Sequence, residues 1–170
     1  PIEAGLHSLI AYYPKGMKNG RADQVFKFKL SEVQHLPSLA TFDPSVDLLV
    51  SEQAMLTLGE DFVEADKLRF HRILAVARII LEDHTTGNVL SGKKVKGLKL
   101  SSSEALLSGR VSVDVLKRTI TAWENKSSFQ YVSAVYDGDD WTVDGTNAAY
   151  LVGNPTTLSS GGTLTLDVET

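Results

Sequence analysis

The chain has 170 residues, 42% of them hydrophobic and 22% charged, with a formal net charge of −4 and no cysteine. A chain of that length and composition buries roughly two thirds of the surface its unfolded form exposes, which excludes intrinsic disorder. No apolar run approaches the ~20 residues of a helical bilayer span, and the missing thiols exclude disulfides, thiolate metal sites and cysteine nucleophiles together.

In chain order, "PIEAGLHSLIAYYPKG" lacks the basic and apolar regions of a signal peptide, so neither a signal peptide nor a transmembrane segment is expected, and the expected location is the cytoplasm or a virus-like particle. "QVFKFKL" alternates Phe26, Phe28 and Leu30 with Lys27 and Lys29, predicting a half-buried strand with a basic outer face. "VDLLV" and "AMLTL" are short apolar runs read as strands. Between Glu60 and Asp83, residues Phe70, Ile73, Leu74, Ala77, Ile80 and Leu81 recur at helical spacing, predicting a helix over about 60–83. A strand buried on both faces is the alternative for "RILAVARIIL".

"HTTGNVLSGKKVKG" breaks the pattern with four turn-forming residues, Gly87, Asn88, Gly92 and Gly97, and is read as loop or hairpin. "SSSEALLSG" has Ser101 at an N-cap, Glu104 three positions on and Gly109 as a stop, predicting a short helix at 102–108. Val115, Leu116, Thr119, Ile120 and Trp123 predict another at about 114–125. The remaining apolar segments, "SSFQYVSAVY", "WTV", "AAYLV" and "GTLTLDV", read as strands, the last with Leu164, Leu166 and Val168 inward. The expected fold is therefore α+β: one mainly antiparallel β domain over 1–170 carrying two or three helices.

Charge is segregated along the chain. Residues 15–29 carry +4, residues 30–66 carry eight acids and no Lys or Arg, residues 67–118 carry +7, and beyond Lys126 there are six acids and no Lys or Arg. Such blocks either pair locally within the folded chain or build opposed faces that steer partners.

The richest acidic stretch, Asp137, Asp139, Asp140 and Asp144, fails an EF-hand register test. Counting from Asp137 puts Trp141 at a ligand position, and counting from Asp140 puts Leu151 where the bidentate Glu belongs. These acids are read as two turns, at Asp137-Gly138 and Asp144-Gly145, around a short strand with Trp141 and Val143 inward. The four histidines, His7, His35, His71 and His84, form no metal-ligand spacing, and no nucleophile-elbow, phosphate-loop or dinucleotide motif occurs.

No catalytic residue, metal site or cofactor is assigned, and an enzyme with a small-molecule substrate is the disfavoured class. Lys93, Lys94, Lys96 and Lys99 fall within seven residues between glycines, a pattern suited to phosphate contacts in nucleic acid or an anionic membrane. The general profile is similar to that of small viral coat and matrix proteins. The expectation is a non-catalytic structural or assembly protein that self-associates through complementary charged surfaces. Its basic loop would touch nucleic acid or membrane, and Asp137, Asp139, Asp140 and Asp144 would face a partner. The alternative is a β-rich carbohydrate- or cation-binding module built on Asp137–Gly145.

Overall fold

The structure, a computed structural model, describes residues 3–14, 18–20, 24–35, 43–59, 63–65, 67–105, 107–133, 141–145, 148–155 and 157–170. Among these, the regular elements are strands and one 3-10 turn, Pro44–Val46, capped by Asp43. In chain order the strands are β1 (Gly5–Leu9), β2 (Tyr12–Tyr13), β3 (Lys18–Gly20), β4 (Val25–Leu30), β5 (Val33–His35), β6 (Leu49–Ser51), β7 (Ala54–Leu58) and β8 (Val63–Ala65). They continue with β9 (Phe70–Arg72), β10 (Ala75–Ile80), β11 (Gly97–Ser102), β12 (Ser108–Asp114), β13 (Thr119–Ser127), β14 (Phe129–Ser133), β15 (Ala148–Gly153) and β16 (Leu164–Glu169).

Five sheets result. Sheet I is ordered β13-β12-β4-β3, sheet II β2-β6-β9, sheet III β16-β11-β14-β5, sheet IV β10-β15 and sheet V β1-β7-β8. All pairings are antiparallel except β14 with β5. Sheets II and V form one long ribbon in which the β1–β7 register slips by a residue on reaching β2–β6. The buried Ser51 fills that slip: its N–H donates to the Ala11 carbonyl and its hydroxyl accepts from the Ala11 N–H, each at 2.8 Å.

The apolar residues divide into two cores. Phe28 and Leu30 of β4 and Val111 and Val113 of β12 pack against Val46, Leu48, Val50, Ile73 and Leu74, closing sheet I onto sheet II. Leu98 of β11 and Val132 of β14 pack with Val95, Trp141, Val143, Ala149 and Leu151, closing sheet III onto sheet IV. The sheet IV ribbon joins them: the Val76–Val152 pair belongs to the first core, whereas Ile79, Ala149 and Leu151 on its other face belong to the second.

Along β15, facing away from β10, two buried glutamines stand in for a neighbouring strand. The Gln34 amide of β5 donates to the Val152 carbonyl at 2.6 Å and accepts from the Val152 N–H at 3.0 Å. Gln130 of β14 donates to the same carbonyl at 2.9 Å. Both side chains are fully buried, so the Val152 N–H and carbonyl are satisfied on the side where, among the described residues, no strand reaches β15.

The expected α+β class is overturned, because none of the predicted helices forms. Residues 60–83 hold β8, β9 and β10, with 60–62 and 66 outside the described residues. The helical spacing has a physical source: the chain passes from sheet II to sheet IV at Ile73–Leu74, both buried, and two consecutive inward residues joined to strand alternation imitate an i, i+3, i+4 stripe. The two-sided burial offered as the alternative is also not met, since Ala75, Ala77, Arg78 and Ile80 are exposed.

Over 102–108 the Ser and Glu residues cap a loop contact instead of a helix. Glu104 N–H donates to Ser102 Oγ at 3.1 Å, Glu104 Oε1 accepts from Ser159 N–H at 2.8 Å, and Thr163 N–H donates to Ser103 Oγ at 2.9 Å. A seven-residue helix has too few internal bonds to outweigh these partners. Over 114–125 the pattern is a turn at 115–118 followed by β13. Asp114 Oδ1 accepts from the Leu116 and Lys117 N–H groups, Arg118 has φ 56°, and Ile120 and Trp123 face the first core from a strand.

The strand at "QVFKFKL" is borne out, with Phe28 and Leu30 buried and Lys27 and Lys29 exposed. The inward face assigned to the last strand is not: Leu164, Leu166 and Val168 are 53%, 37% and 40% exposed. β16 pairs at the margin of sheet III and nothing among the described residues covers it.

Candidate functional site

The two segments that stand out in the sequence, the lysine loop and the aspartate stretch, meet in the structure. Val95 N–H donates to the Trp141 carbonyl at 2.8 Å, Val143 N–H to the Lys93 carbonyl at 3.0 Å and Gly92 N–H to the Val143 carbonyl at 3.0 Å. Lys94 and Thr142 form an antiparallel bridge. Inward-facing Val95, Trp141 and Val143 lock this unit onto the second core, with Trp141 only 1% exposed. Thr142 Oγ1 donates to Asp144 Oδ2 at 2.7 Å. The short strand with Trp141 and Val143 inward is thus confirmed in its facing, although it forms a single bridge and not a ladder.

Asp83 organises the loop that precedes the lysines. One carboxylate oxygen accepts from the Thr85 N–H at 2.8 Å and hydroxyl at 2.6 Å, and the other from the N–H groups of Leu90 at 2.6 Å and Ser91 at 2.8 Å. The Thr85 hydrogen bonds, with those from Leu90 and Ser91, hold this carboxyl below the ordinary carboxylate range. The loop so fixed exposes Val89 and Leu90.

The four lysines have different surroundings. Lys93 and Lys94 sit exposed beside the Trp141–Val143 segment, and Lys96 donates from Nζ to the Thr170 carbonyl at 3.2 Å. Lys99 projects from β11 with its ammonium 5.7 Å from the Phe129 ring centroid. Of the acidic residues, Asp144 is exposed beside Thr142, and Asp137, Asp139 and Asp140 lie outside the described residues.

Much of the segregated charge is brought together inside the chain. Register places Lys99 opposite Asp167 on β16, and the Lys96 N–H donates to the Glu169 carbonyl, so the acidic C-terminal segment lies beside Lys96 and Lys99. Tyr131 spans from β14 across β11 to donate to Glu169 Oε2 at 3.1 Å. It crosses at Gly97, where any Cβ would strike the phenol hydroxyl. Burial, with that acceptor, pushes the phenol above its ordinary range. Elsewhere Arg72 makes a two-pronged contact with the nearly buried Asp47, at 2.6 and 3.1 Å, and His71 meets Glu52 at 2.9 Å. The contacts with Asp47 raise the Arg72 guanidinium further above its ordinary value.

What sequence reasoning missed is the condition of the sheet margins. β10 pairs with β15 on one side and, among the described residues, with no strand on the other. Beside it runs an apolar groove of about 140 Å³ between sheets IV and III, lined by Ala75, Ala77, Leu100, Leu107, Leu151 and Leu164. The Ala75/Ala77 alternation was the available signal, and the helical reading of 60–83 concealed it.

Among the described residues no cluster of three or more His, Cys, Asp or Glu side chains is placed to hold a metal ion, and no helix is long and apolar enough to cross a membrane. The chain therefore presents a multi-sheet antiparallel β fold whose distinctive surfaces are strand edges and charged faces. No family model matches this chain, and no curated protein matches it. Among solved structures it is similar to a Bacteroides uniformis protein described as a "putative cell adhesion protein", with 16% sequence identity and a TM-score of 0.56. The alignment covers 99% of this chain and 57% of that one, so the chain spans a little over half of the neighbour's length.

Proposed function

We propose that the chain is a non-catalytic structural module that works by association with further copies of itself, in an adhesive or surface assembly. The observation that carries this reading is the open margin of β10. Its six residues expose Ala75, Ala77, Arg78 and Ile80 and border an apolar groove, and among the described residues no Pro, bulge or covering loop blunts this edge. An edge of this kind is a template for pairing with another chain. The described role of the Bacteroides uniformis protein supports the adhesive setting over the viral one.

The charge-driven version of association finds less support. Lys96 and Lys99 already lie beside the acidic β16, and Arg72 is paired with Asp47 and His71 with Glu52. The carbohydrate- or cation-binding alternative, built on Asp137–Gly145, has no use of the Trp141 ring, which lies in the second core.

Light scattering on a sizing column separates the two modes of association. Edge pairing predicts oligomers that grow with protein concentration, persist through 1 M NaCl and are lost in Ala77→Lys, since a charge on an edge opposes strand addition. A monomer at every concentration would refute the reading. Oligomers that dissolve as salt rises would return it to charge.

A further inference from the structure

Sheet I carries a feature that strand association does not use. Register sets Lys29 of β4 directly opposite Arg110 of β12. Like charges facing one another on neighbouring strands cost stability. Lys27, Lys29 and Arg110 are exposed on the face opposite the first core. Among the described residues neither Lys29 nor Arg110 has an ion-pair partner within 4.0 Å, although Glu124 neighbours Arg110 on β13. Arg110 thus lies between the like charge of Lys29 on one neighbouring strand and the opposite charge of Glu124 on the other.

The same two side chains line a cleft of about 320 Å³ together with Ser31, Glu32, Gly109 and Asn125. Its wall is a β-bulge, where the β12–β13 register shifts between Ser108 and Arg110. Asn125 takes φ 49° there, and Trp123 Nε1 donates to the Ser108 carbonyl at 3.1 Å. Gly109 is required by the closeness of the strands: at φ +143° a Cβ would lie 2.7 Å from the Glu124 carbonyl and 2.8 Å from Trp123 Nε1. Bulges of this type re-aim side chains at functional sites. A like-charge pair, a pinned bulge and a cleft therefore coincide.

We infer that this cleft binds the anionic group of an acidic glycan, a uronate carboxylate or a sugar sulfate, with Lys29 and Arg110 holding the charge. The other lining groups favour a sugar over a bare phosphate chain. Glu32 accepts from hydroxyl groups, which a sugar offers beside its charged group and a bare phosphate does not, the Asn125 amide and Ser31 hydroxyl suit sugar hydroxyls, and no aromatic ring lines the cleft to stack a base.

The test is affinity electrophoresis of the intact chain in gels containing polygalacturonate, dextran sulfate, neutral dextran or poly-L-glutamate. Wild type is expected to be retarded by one or both acidic polysaccharides and not by neutral dextran; the polymer that retards it assigns uronate or sulfate. Lys29→Glu and Arg110→Gln each weaken retardation about tenfold or more, as expected for loss of a charge-assisted contact. Lys93→Ala with Lys94→Ala leaves it unchanged. Because Lys29→Glu also replaces a like-charge pair by an opposite one, its melting temperature should equal or exceed that of wild type, and Lys29→Gln repeats the binding test without a new charge. Wild-type retardation by both Lys29 variants overturns the inference, as does retardation by poly-L-glutamate equal to that by the polysaccharides, or none by either polysaccharide.

Discussion

Replacing Gln34 by Leu removes the side chain that satisfies β15 from its open side. The Val152 N–H then points into the protein with no acceptor, and an orphaned buried donor costs about 1–3 kcal/mol. The lost Gln34 donor bond adds about 0.5–1.5 kcal/mol, reduced because the Val152 carbonyl keeps the Gln130 amide. The total is about 3 kcal/mol, equivalent to about 6–12 °C in Tm for a chain of this size. Gln130→Leu is the internal control. Its Oε1 has no partner among the described residues, and the carbonyl its amide serves keeps the Gln34 bond, so the change should fall within about 1 kcal/mol of neutral. Urea unfolding followed by tryptophan fluorescence reads both variants, with Trp123 reporting on the first core and Trp141 on the second. Equal stabilities for the two variants, or a larger loss for Gln130→Leu, would refute the reasoning.

Arg72→Ala strands the Asp47 carboxylate, whose side chain is 9% exposed, and should cost about 1–2 kcal/mol once the half-exposed guanidinium is discounted for solvent screening; adding Asp47→Asn should recover part of this in chemical denaturation. Gly109→Ala places a methyl group against the Glu124 carbonyl at a φ that L residues avoid, and should destabilise by about 2 kcal/mol or more in the same assay. For Asp83 the folded carboxyl lies below its ordinary value, so its contribution is full above the unfolded pKa and is lost as pH falls through the folded one. Amide exchange should show Leu90 protected near pH 6, losing protection in acid, and unprotected at both pH values in Asp83→Ala, while Ser91 keeps its bond to the Asn88 carbonyl.

Individual strands with one buried face were legible. β4 alternates Phe and Lys because one face meets the first core and the other meets water, and period-two alternation encodes that directly. β10 was illegible because its neighbours are asymmetric: Val76 serves one core, Ile79 the other, and the switch at Ile73–Leu74 inserts two inward residues in succession. β13 was obscured by its bulges and by the Asp114-capped turn before it, which shift apolar residues off strict alternation. The exposed apolar residues of β16 show the reverse limit, since a pattern fixes which residues share a face and not whether anything covers that face.

The candidate sites divide in the same way. The lysine loop and the aspartate stretch are visible as local composition, whereas their mutual pairing through Lys94 and Thr142 depends on the fold and leaves no local signal. The Lys29–Arg110 pair was invisible because its members are 81 positions apart and gain meaning only from the β4–β12 register. Arg110 sits in "SGRVSV" with no local signal beyond alternation.

Amide hydrogen exchange along β10, measured over a hundredfold range of protein concentration, tests the association account most directly. Edge pairing predicts that alternate amides of Ala75–Ile80, those directed away from β15, exchange quickly in dilute solution and become protected as concentration rises, while the amides bonded to β15 stay slow throughout. Concentration-independent exchange at every amide of this strand, in a sample whose oligomers are growing, would contradict the account and place the contact elsewhere.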